Sequence, residues 1–109
     1  MITELREGEA IIQESAANFQ KNIETVGGRL FLTNRRLVFE AHSFNVQGGI
    51  TELELSVINS LQPCWTKLFG LIPLFPNSLA VLTEQEKEFR FVLSNRQAWI
   101  TAIESQLNG

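Results

Sequence analysis

The fold is indicated by residues 27–40, which read GGRLFLTNRRLVFE. Apolar, β-branched and aromatic residues dominate both halves of this stretch, so it predicts short strands at 30–33 and 37–40. The turn between them spans Thr33, Asn34 and Arg35, and asparagine tolerates the left-handed backbone that tight turns often require. The stretch therefore predicts an antiparallel β-hairpin.

The rest of the chain predicts more strands of the same kind. Alternating or clustered apolar residues predict strands at 9–15, 51–55, 58–62, 78–83 and 88–93, with a turn at 84–87 between the last two. Residues 1–8 are expected to form a loose arm. We therefore expect a mainly β fold, a partly open barrel or sandwich of about seven antiparallel strands.

The spacing of apolar residues becomes helical after the last predicted strand. Ser94 and Gln97 match a capping box, the pairing of side chains that begins many helices. Four apolar residues then follow on one helical face, namely Trp99, Ala102, Ile103 and Leu107. The pattern predicts one C-terminal α-helix that closes the open end of the strands.

The hairpin and the order of elements resemble the GRAM-type domains of the pleckstrin-homology-like superfamily. In those domains a glycine, a hydrophobic pair, Leu-Thr-Asn, a basic residue, Leu and Phe recur in this order, as in residues 28–39 here. A tryptophan in the closing helix, here Trp99, also matches. The resemblance covers about residues 9–107 and implies a binding module for a membrane surface or another protein, rather than an enzyme.

Length and composition narrow the class of protein further. The 109 residues, 44% hydrophobic, predict a single domain over 1–109 with a self-supporting core at about 9–107. A net charge of -3 disfavours a general binder of nucleic acid or anionic membranes. The charged N-terminus is unlike a signal peptide, and the longest apolar run, 68–75, is too short to span a bilayer. The single cysteine suits a reducing cytoplasm, so we expect a cytoplasmic protein, soluble or peripheral to a membrane.

Catalytic and metal-binding residues are scarce in this sequence. The chain has one histidine, His42, and one cysteine, Cys64, and it has neither aspartate nor tyrosine. His42 is expected in a solvated loop, and Cys64 lacks a neighbouring base that would activate its thiol. Gly27-Gly28 is interpreted as a turn, because no helix follows it as in a phosphate-binding loop. We therefore expect no enzymatic activity, no metal site and no cofactor.

Lipid headgroup binding is the first of two functional alternatives. The phosphoinositide-binding relatives that the resemblance implies carry several basic residues in the loop between their first two strands. The matching stretch here, 16–29, offers only Lys21 and Arg29, and Arg35 and Arg36 lie apart from it at the hairpin tip. A peripheral membrane module that uses these four residues is therefore the less favoured alternative.

The second alternative is protein contact through an apolar loop at residues 64–76. A short polar turn would suffice between the flanking strands, yet this segment is rich in large apolar residues, and Pro73 and Pro76 argue against a continuous strand. It either folds back over the sheet to complete the core or stays exposed for a partner or a second copy of the chain. The contact residues predicted for the exposed case are Trp65, Leu68, Phe69, Leu71, Ile72 and Phe75.

Overall fold

The computed structural model describes residues 1–21, 24–42, 49–68 and 72–108, apart from the side chains of residues 21, 65–68 and 72–76. These residues form seven strands, a short 3-10 turn at Leu55–Val57 and one helix. The elements are β1 (Ile11–Lys21), β2 (Glu24–Thr33), β3 (Arg36–Ala41), β4 (Ile50–Glu54), β5 (Ile58–Leu68), β6 (Ile72–Thr83), β7 (Glu88–Val92) and α1 (Arg96–Asn108).

All seven strands belong to one antiparallel sheet with the order β4-β3-β2-β1-β7-β6-β5. β1 pairs with β2 along its length and with β7 only at Asn18, Phe19 and Gln20. The short β1–β7 contact joins the four-stranded and three-stranded parts of the sheet. The predicted mainly β fold with a closing C-terminal helix is confirmed.

The main core lies between one side of the sheet and α1. Side chains alternate along a strand, so every second residue of β2 and β3 points to this side. Four aromatic rings, those of Phe19, Phe39, Phe89 and Phe91, contact one another there at centroid separations of 5.0 to 6.2 Å. Trp99 from α1 is 1% exposed, and its indole Nε1 donates a hydrogen bond to Ser15 Oγ at 3.1 Å.

The first two strands are longer than the sequence predicts. Of residues 16–29, expected as a loop, residues 16–21 belong to β1 and residues 24–29 to β2, which pair from Lys21–Glu24 to Ser15–Leu30. Gly28 is a strand residue and not part of a turn. A Cβ there would collide with the carbonyl oxygen of Glu40, so the close approach of β3 requires glycine.

The hairpin between β2 and β3 is present, but its turn works differently from the prediction. Glu86 is the non-glycine residue with positive φ in the described chain, so Asn34 does not use the left-handed backbone. Its side chain instead accepts a hydrogen bond from Ala10 N and donates one to Gly8 O. The asparagine therefore ties the turn to the N-terminal segment.

The helix begins slightly later than the capping box predicts. α1 starts at Arg96, and the backbone N–H of Trp99 donates to the carbonyl oxygen of Asn95. Asn95, rather than Ser94, therefore occupies the N-cap position. Gln97 directs its amide toward Thr101 Oγ1, at 3.4 Å, instead of toward the start of the helix.

The prediction of a loop at 64–76 is corrected by the structure, because most of this segment is strand. β5 runs to Leu68 and β6 starts at Ile72, with Lys67 opposite Pro73 and Leu68 opposite Ile72. Residues 69–71, which include the predicted contacts Phe69 and Leu71, lie outside the described residues. Proline is tolerated because this part of β6 pairs, among the described strands, with β5 alone, so its missing N–H disrupts no second ladder.

Candidate interaction site

The N-terminal segment, residues 1–10, lies against the outer face of β2 and β3. Phe31 and Val38 are 2% and 0% exposed but lie outside the main core cluster, because they point to the opposite side of β2 and β3. Above them, the backbone N–H groups of Ile2 and Thr3 donate to the buried carboxylate of Glu40 at 3.0 and 2.7 Å. The expectation of a loose arm at residues 1–8 is therefore wrong.

A buried ion pair fixes this segment to the turn of the β2–β3 hairpin. Arg36 donates from Nε to Glu9 Oε2 at 2.8 Å and from Nη2 to Glu9 Oε1 at 2.9 Å, and both side chains are almost fully buried. The hydroxyl of Thr33 donates to Glu9 Oε2 at 2.7 Å and accepts from the N–H groups of Arg35 and Arg36. Arg36 also contacts Glu52 and the carbonyl oxygen of Glu4.

These contacts remove Arg36 from the predicted set of lipid-binding residues. Its guanidinium donates to protein acceptors from all three nitrogens, and the side chain is 4% exposed. The hydrogen bonds from Arg36, assisted by Thr33 and the Arg6 backbone, lower the pKa of Glu9 from 4.5 to about 2 despite burial. The pair is a structural clamp between the N-terminal segment and the sheet.

This clamp predicts an acid-dependent loss of stability. The folded-state pKa of Glu9 is below its ordinary value, so its contribution is complete above about pH 4.5 and is lost as the pH falls toward 2. We expect the Glu9→Gln variant to be less stable than the parent at neutral pH, with a smaller further loss between about pH 5 and pH 3. Denaturant titrations at each pH measure this.

A matched control is Glu14→Gln, because the Glu14 carboxylate is half-exposed and lies 3.6 Å from Arg29. Its stability should follow the parent at every pH. If the free energy of unfolding of Glu9→Gln fell with pH as steeply as that of the parent, Glu9 would not be responsible for the acid sensitivity.

The remaining predicted basic residues do not converge on one pocket. Lys21 lies at the β1–β2 end of the sheet and Arg35 at the β2–β3 turn, at opposite ends of the ten-residue β2. At about 3.3 Å per residue, β2 extends over roughly 30 Å if straight. Arg29 lies between them and pairs with Glu14, while Arg35 is exposed. Arg6 and Arg90 are likewise paired with Glu54 and Glu88.

The distal hairpin, defined as residues 64–76, extends beyond its neighbouring strand. β7 pairs with β6 from Ser78 to Leu82, and β6 residues 72–76 pair, in the described chain, with β5 alone. β5 also forms an edge of the sheet. The hairpin thus continues as a two-stranded ribbon of β5 and β6 beyond the end of β7. Bulges interrupt its register between Cys64 and Thr66 and between Thr66 and Lys67.

Four of the six predicted protein-contact residues lie on this ribbon. Trp65, Leu68, Ile72 and Phe75 are strand residues, although the structure describes only their backbone. Cys64, next to them, is half-buried, and its carbonyl oxygen accepts a hydrogen bond from Arg96. His42 follows the last residue of β3 and is exposed, as expected. The described residues contain no group of three or more side chains suited to holding a metal ion.

Sequence reasoning missed the clamp formed by Glu9, Thr33 and Arg36. One signal was present, because Arg36, Val38 and Glu40 alternate with apolar residues along β3 and so share its outer face. A glycine and a glutamate just before the first strand do not show that the preceding segment folds back over that face. Pairing across 27 residues cannot be deduced from local spacing.

Comparison with known proteins agrees with this architecture. A family model described as "GRAM domain" matches residues 1–108. No curated protein sequence matches the chain. No described helix has the length and apolar character that crossing a membrane requires.

Several solved structures are similar to the chain in fold. The C-terminal domain of an unknown protein from Leishmania infantum has a TM-score of 0.77 at 17% identity, over 94% of this chain and 88% of that chain. The Vps36 N-terminal PH domain has a TM-score of 0.72 at 20% identity, over 96% and 83%. The Slm1 PH domain in complex with phosphoserine has a TM-score of 0.67 at 12% identity, over 91% and 97%.

Proposed function

This chain belongs to the GRAM domain family, and from that premise we propose that it is a non-enzymatic module that binds other proteins, or a second copy of itself, through its distal hairpin. GRAM and other pleckstrin-homology-like domains are typically binding modules without catalytic activity. The proposal places the module in the cytoplasm, which its single cysteine, Cys64, suits.

The extension of the hairpin beyond β7 is the observation that carries this proposal. An isolated two-stranded ribbon is only marginally stable in water, so its apolar residues gain from being covered. The ribbon also has backbone groups along the β5 edge that a partner strand can pair with. Covering about 400 Å² of apolar surface gives roughly 10 kcal/mol before the costs of association. Those costs amount to about 4 to 15 kcal/mol, so a weak, transient contact is expected.

The distribution of charge supports protein contact over lipid headgroup binding. Headgroup phosphates require several cations that converge on one site. Here Arg36 is buried, Arg29 is paired with Glu14, and Lys21 and Arg35 lie at opposite ends of β2. The net charge of -3 adds a weak repulsion toward anionic membranes.

Two substitutions in the distal hairpin test the proposal. Phe69→Ser and Ile72→Ser are each expected to abolish or strongly reduce self-association, measured by sedimentation equilibrium, with little change in melting temperature. The reason is that each removes apolar surface from the contact while leaving the core intact. Ile12→Ser is the matched control, because Ile12 is 44% exposed on β1, away from the hairpin.

Two results would count against protein contact through the distal hairpin. If Phe69→Ser and Ile72→Ser unfold the protein, and the parent is monomeric at every concentration, the hairpin belongs to the core and the proposal fails. Sedimentation with neutral vesicles, with and without acidic inositol lipids, tests the alternative. Micromolar headgroup-selective binding that is lost in Lys21→Ala/Arg29→Ala would favour lipid recognition instead.

A further inference from the structure

The edge strand β4 has one partner strand in the described chain. It is the first strand in the sheet order, and it pairs there with β3. Two backbone bonds flank the β3–β4 ladder, from Ala41 N to Gly49 O at 2.7 Å and from Leu55 N to Arg35 O at 3.0 Å. In an antiparallel pair, every second residue exchanges both of its backbone bonds with the residue opposite. The two flanking bonds therefore fix which residues of β4 bond to β3.

Alternate residues of β4 direct their backbone groups away from β3. Counting in steps of two from either flanking bond assigns Thr51 and Leu53 to the ladder with β3. The N–H and C=O groups of Ile50, Glu52 and Glu54 consequently point to the open side of the strand. A strand edge of this kind can accept a further strand through backbone hydrogen bonds.

The side chains of these outward-bonding residues lie on the outer face of the sheet. Ile50 lies opposite Glu40 and Glu52 lies opposite Val38, and directly opposed residues of an antiparallel pair point to the same side. The contact between Arg36 and Glu52 agrees with this placement. A strand added at β4 would therefore meet the backbone and the side chains of the same residues.

An exposed apolar pair lies at one end of this edge. Ile2 and Ile50 are 71% and 41% exposed. Both adjoin Glu40, because Ile2 N donates to the Glu40 carboxylate and Ile50 lies opposite Glu40 in the ladder. An apolar side chain of a partner placed opposite Ile50 would remove part of this surface from water.

The middle of the edge has an excess of negative charge. Arg36 is shared between Glu9 and Glu52, so one cation lies among two carboxylates. Arg36 Nη1 donates to Glu52 Oε1, and Glu52 Oε2 has no hydrogen-bond partner among the described residues. The Glu52 side chain is 41% exposed, whereas Arg6 donates to both carboxylate oxygens of Glu54. Glu52 is therefore the carboxylate of this edge that can bind a second cation.

This distribution of charge argues against a second copy of the chain as the occupant. The antiparallel register that uses Ile50, Glu52 and Glu54 of both copies sets Glu52 against Glu52 and Ile50 against Glu54. Like charges directly opposite each other destabilise a strand pair, and a carboxylate opposite an isoleucine adds no apolar contact. A segment with a cation opposite Glu52 and an apolar residue opposite Ile50 is complementary at both positions.

We propose that the β4 edge binds an extended segment of a partner protein that carries a lysine or arginine opposite Glu52 and an apolar residue opposite Ile50. The segment runs antiparallel to β4, so its basic residue comes two positions before its apolar residue. Its backbone bonds to the outward groups of Ile50, Glu52 and Glu54. β4 and β5 are opposite edges of the sheet, so this site is separate from the distal hairpin and independent of the function proposed for it.

An NMR titration with the peptide acetyl-Thr-Thr-Thr-Lys-Thr-Val-Thr-amide tests this proposal. A bound peptide covers the outward N–H groups, so hydrogen exchange is expected to slow at Ile50, Glu52 and Glu54. Exchange at Thr51 and Leu53 should change much less, because their N–H groups already bond to β3. This alternation distinguishes strand pairing from attachment to the surface by charge alone.

Methyl groups on the peptide backbone provide a matched pair of probes. In the proposed pairing, the N–H groups of the lysine and the valine face β4, and those of the threonines on either side of the lysine face away. N-methylation of the lysine and the valine is expected to weaken binding more than about tenfold, because it removes donors to β4. N-methylation of the two flanking threonines should leave affinity within about twofold. Replacement of the lysine by glutamate should weaken binding about tenfold.

Three variants of the protein separate this site from a general effect of charge and from the distal hairpin. Glu52→Gln keeps an acceptor for Arg36 and should weaken peptide binding about threefold. Glu24→Gln makes the same change on an exposed residue at the start of β2 and should leave binding unchanged. Phe69→Ser should bind the peptide as the parent does, so failure at one site is distinguishable from failure at the other.

Several results would each overturn the proposal. These are the absence of slowed exchange at β4, equal slowing at Thr51 and Leu53, equal effects of the two methylation patterns, and equal loss of binding in Glu24→Gln. Slowed exchange at Ile50, Glu52 and Glu54 in concentrated protein without peptide would also overturn it, because the occupant would then be a second copy of the chain.

Discussion

The Trp99→Ala variant is expected to be largely unfolded at room temperature. Trp99 is 1% exposed, packs in the core between the sheet and α1, and donates from its indole to Ser15. Truncation of a buried tryptophan typically costs about 3 to 5 kcal/mol, and a small domain often has only about 5 to 15 kcal/mol in total. Thermal melting followed by far-ultraviolet circular dichroism measures the loss.

The second tryptophan of the chain provides the matched control for this variant. Trp65 lies in the distal hairpin, so Trp65→Ala makes the same truncation where we expect little contribution to the core. Its melting temperature should stay close to that of the parent. If Trp99→Ala instead melted within a degree or two of the parent, α1 would be an appendage and not the closing element of the fold.

The Arg36→Met variant is expected to lose about 3 to 5 kcal/mol of stability at neutral pH. Methionine keeps much of the length and packing of the arginine stem, but the Glu9 carboxylate then remains buried without its cation. Removing one partner of a buried ion pair is costly for this reason. Denaturant titration measures the change, and loss of the clamp should also speed amide exchange at Ile2 and Thr3.

The double variant Glu9→Gln/Arg36→Met separates the cost of the orphaned charge from the cost of lost packing. It should recover a large part of the stability lost in Arg36→Met, because no buried charge remains. In the single variant Arg36→Met, the largest cause of the lowered Glu9 pKa is absent while burial still opposes ionisation. The loss of stability with falling pH should therefore be smaller in Arg36→Met than in the parent. A double variant no more stable than Arg36→Met would contradict a clamp based on charge.

Local periodicity was sufficient to predict the sheet and the helix. The alternation along 27–40 identified β2 and β3, and the change to helical spacing identified the face that contains Trp99 and Ile103. The ends of the strands were harder to predict than their presence, because polar residues such as Asn18 and Gln20 can lie on the exposed side of a paired strand. β1 and β2 therefore extend through a stretch that was expected to be a loop.

The candidate sites depended on contacts that local patterns do not encode. Arginine side chains are usually exposed, and Arg36 follows a turn. Glu9 and the N-terminal segment nevertheless bury the Arg36 side chain. Pro73 was taken as a strand breaker, but a strand that pairs on only one side can contain it. Both errors arise because burial and edge position are set by tertiary pairing and not by neighbours in sequence.

One measurement tests the central claim that the distal hairpin offers apolar surface to a protein partner. The chain has two tryptophans, so labelling with 5-fluorotryptophan gives two fluorine resonances, and their shift between H₂O and D₂O reports solvent contact. Trp99, 1% exposed, serves as the internal reference for a buried ring. We expect a clear solvent shift for Trp65 in dilute protein, reduced when the distal hairpin is covered. A Trp65 resonance as insensitive as that of Trp99 at the lowest concentration would contradict it.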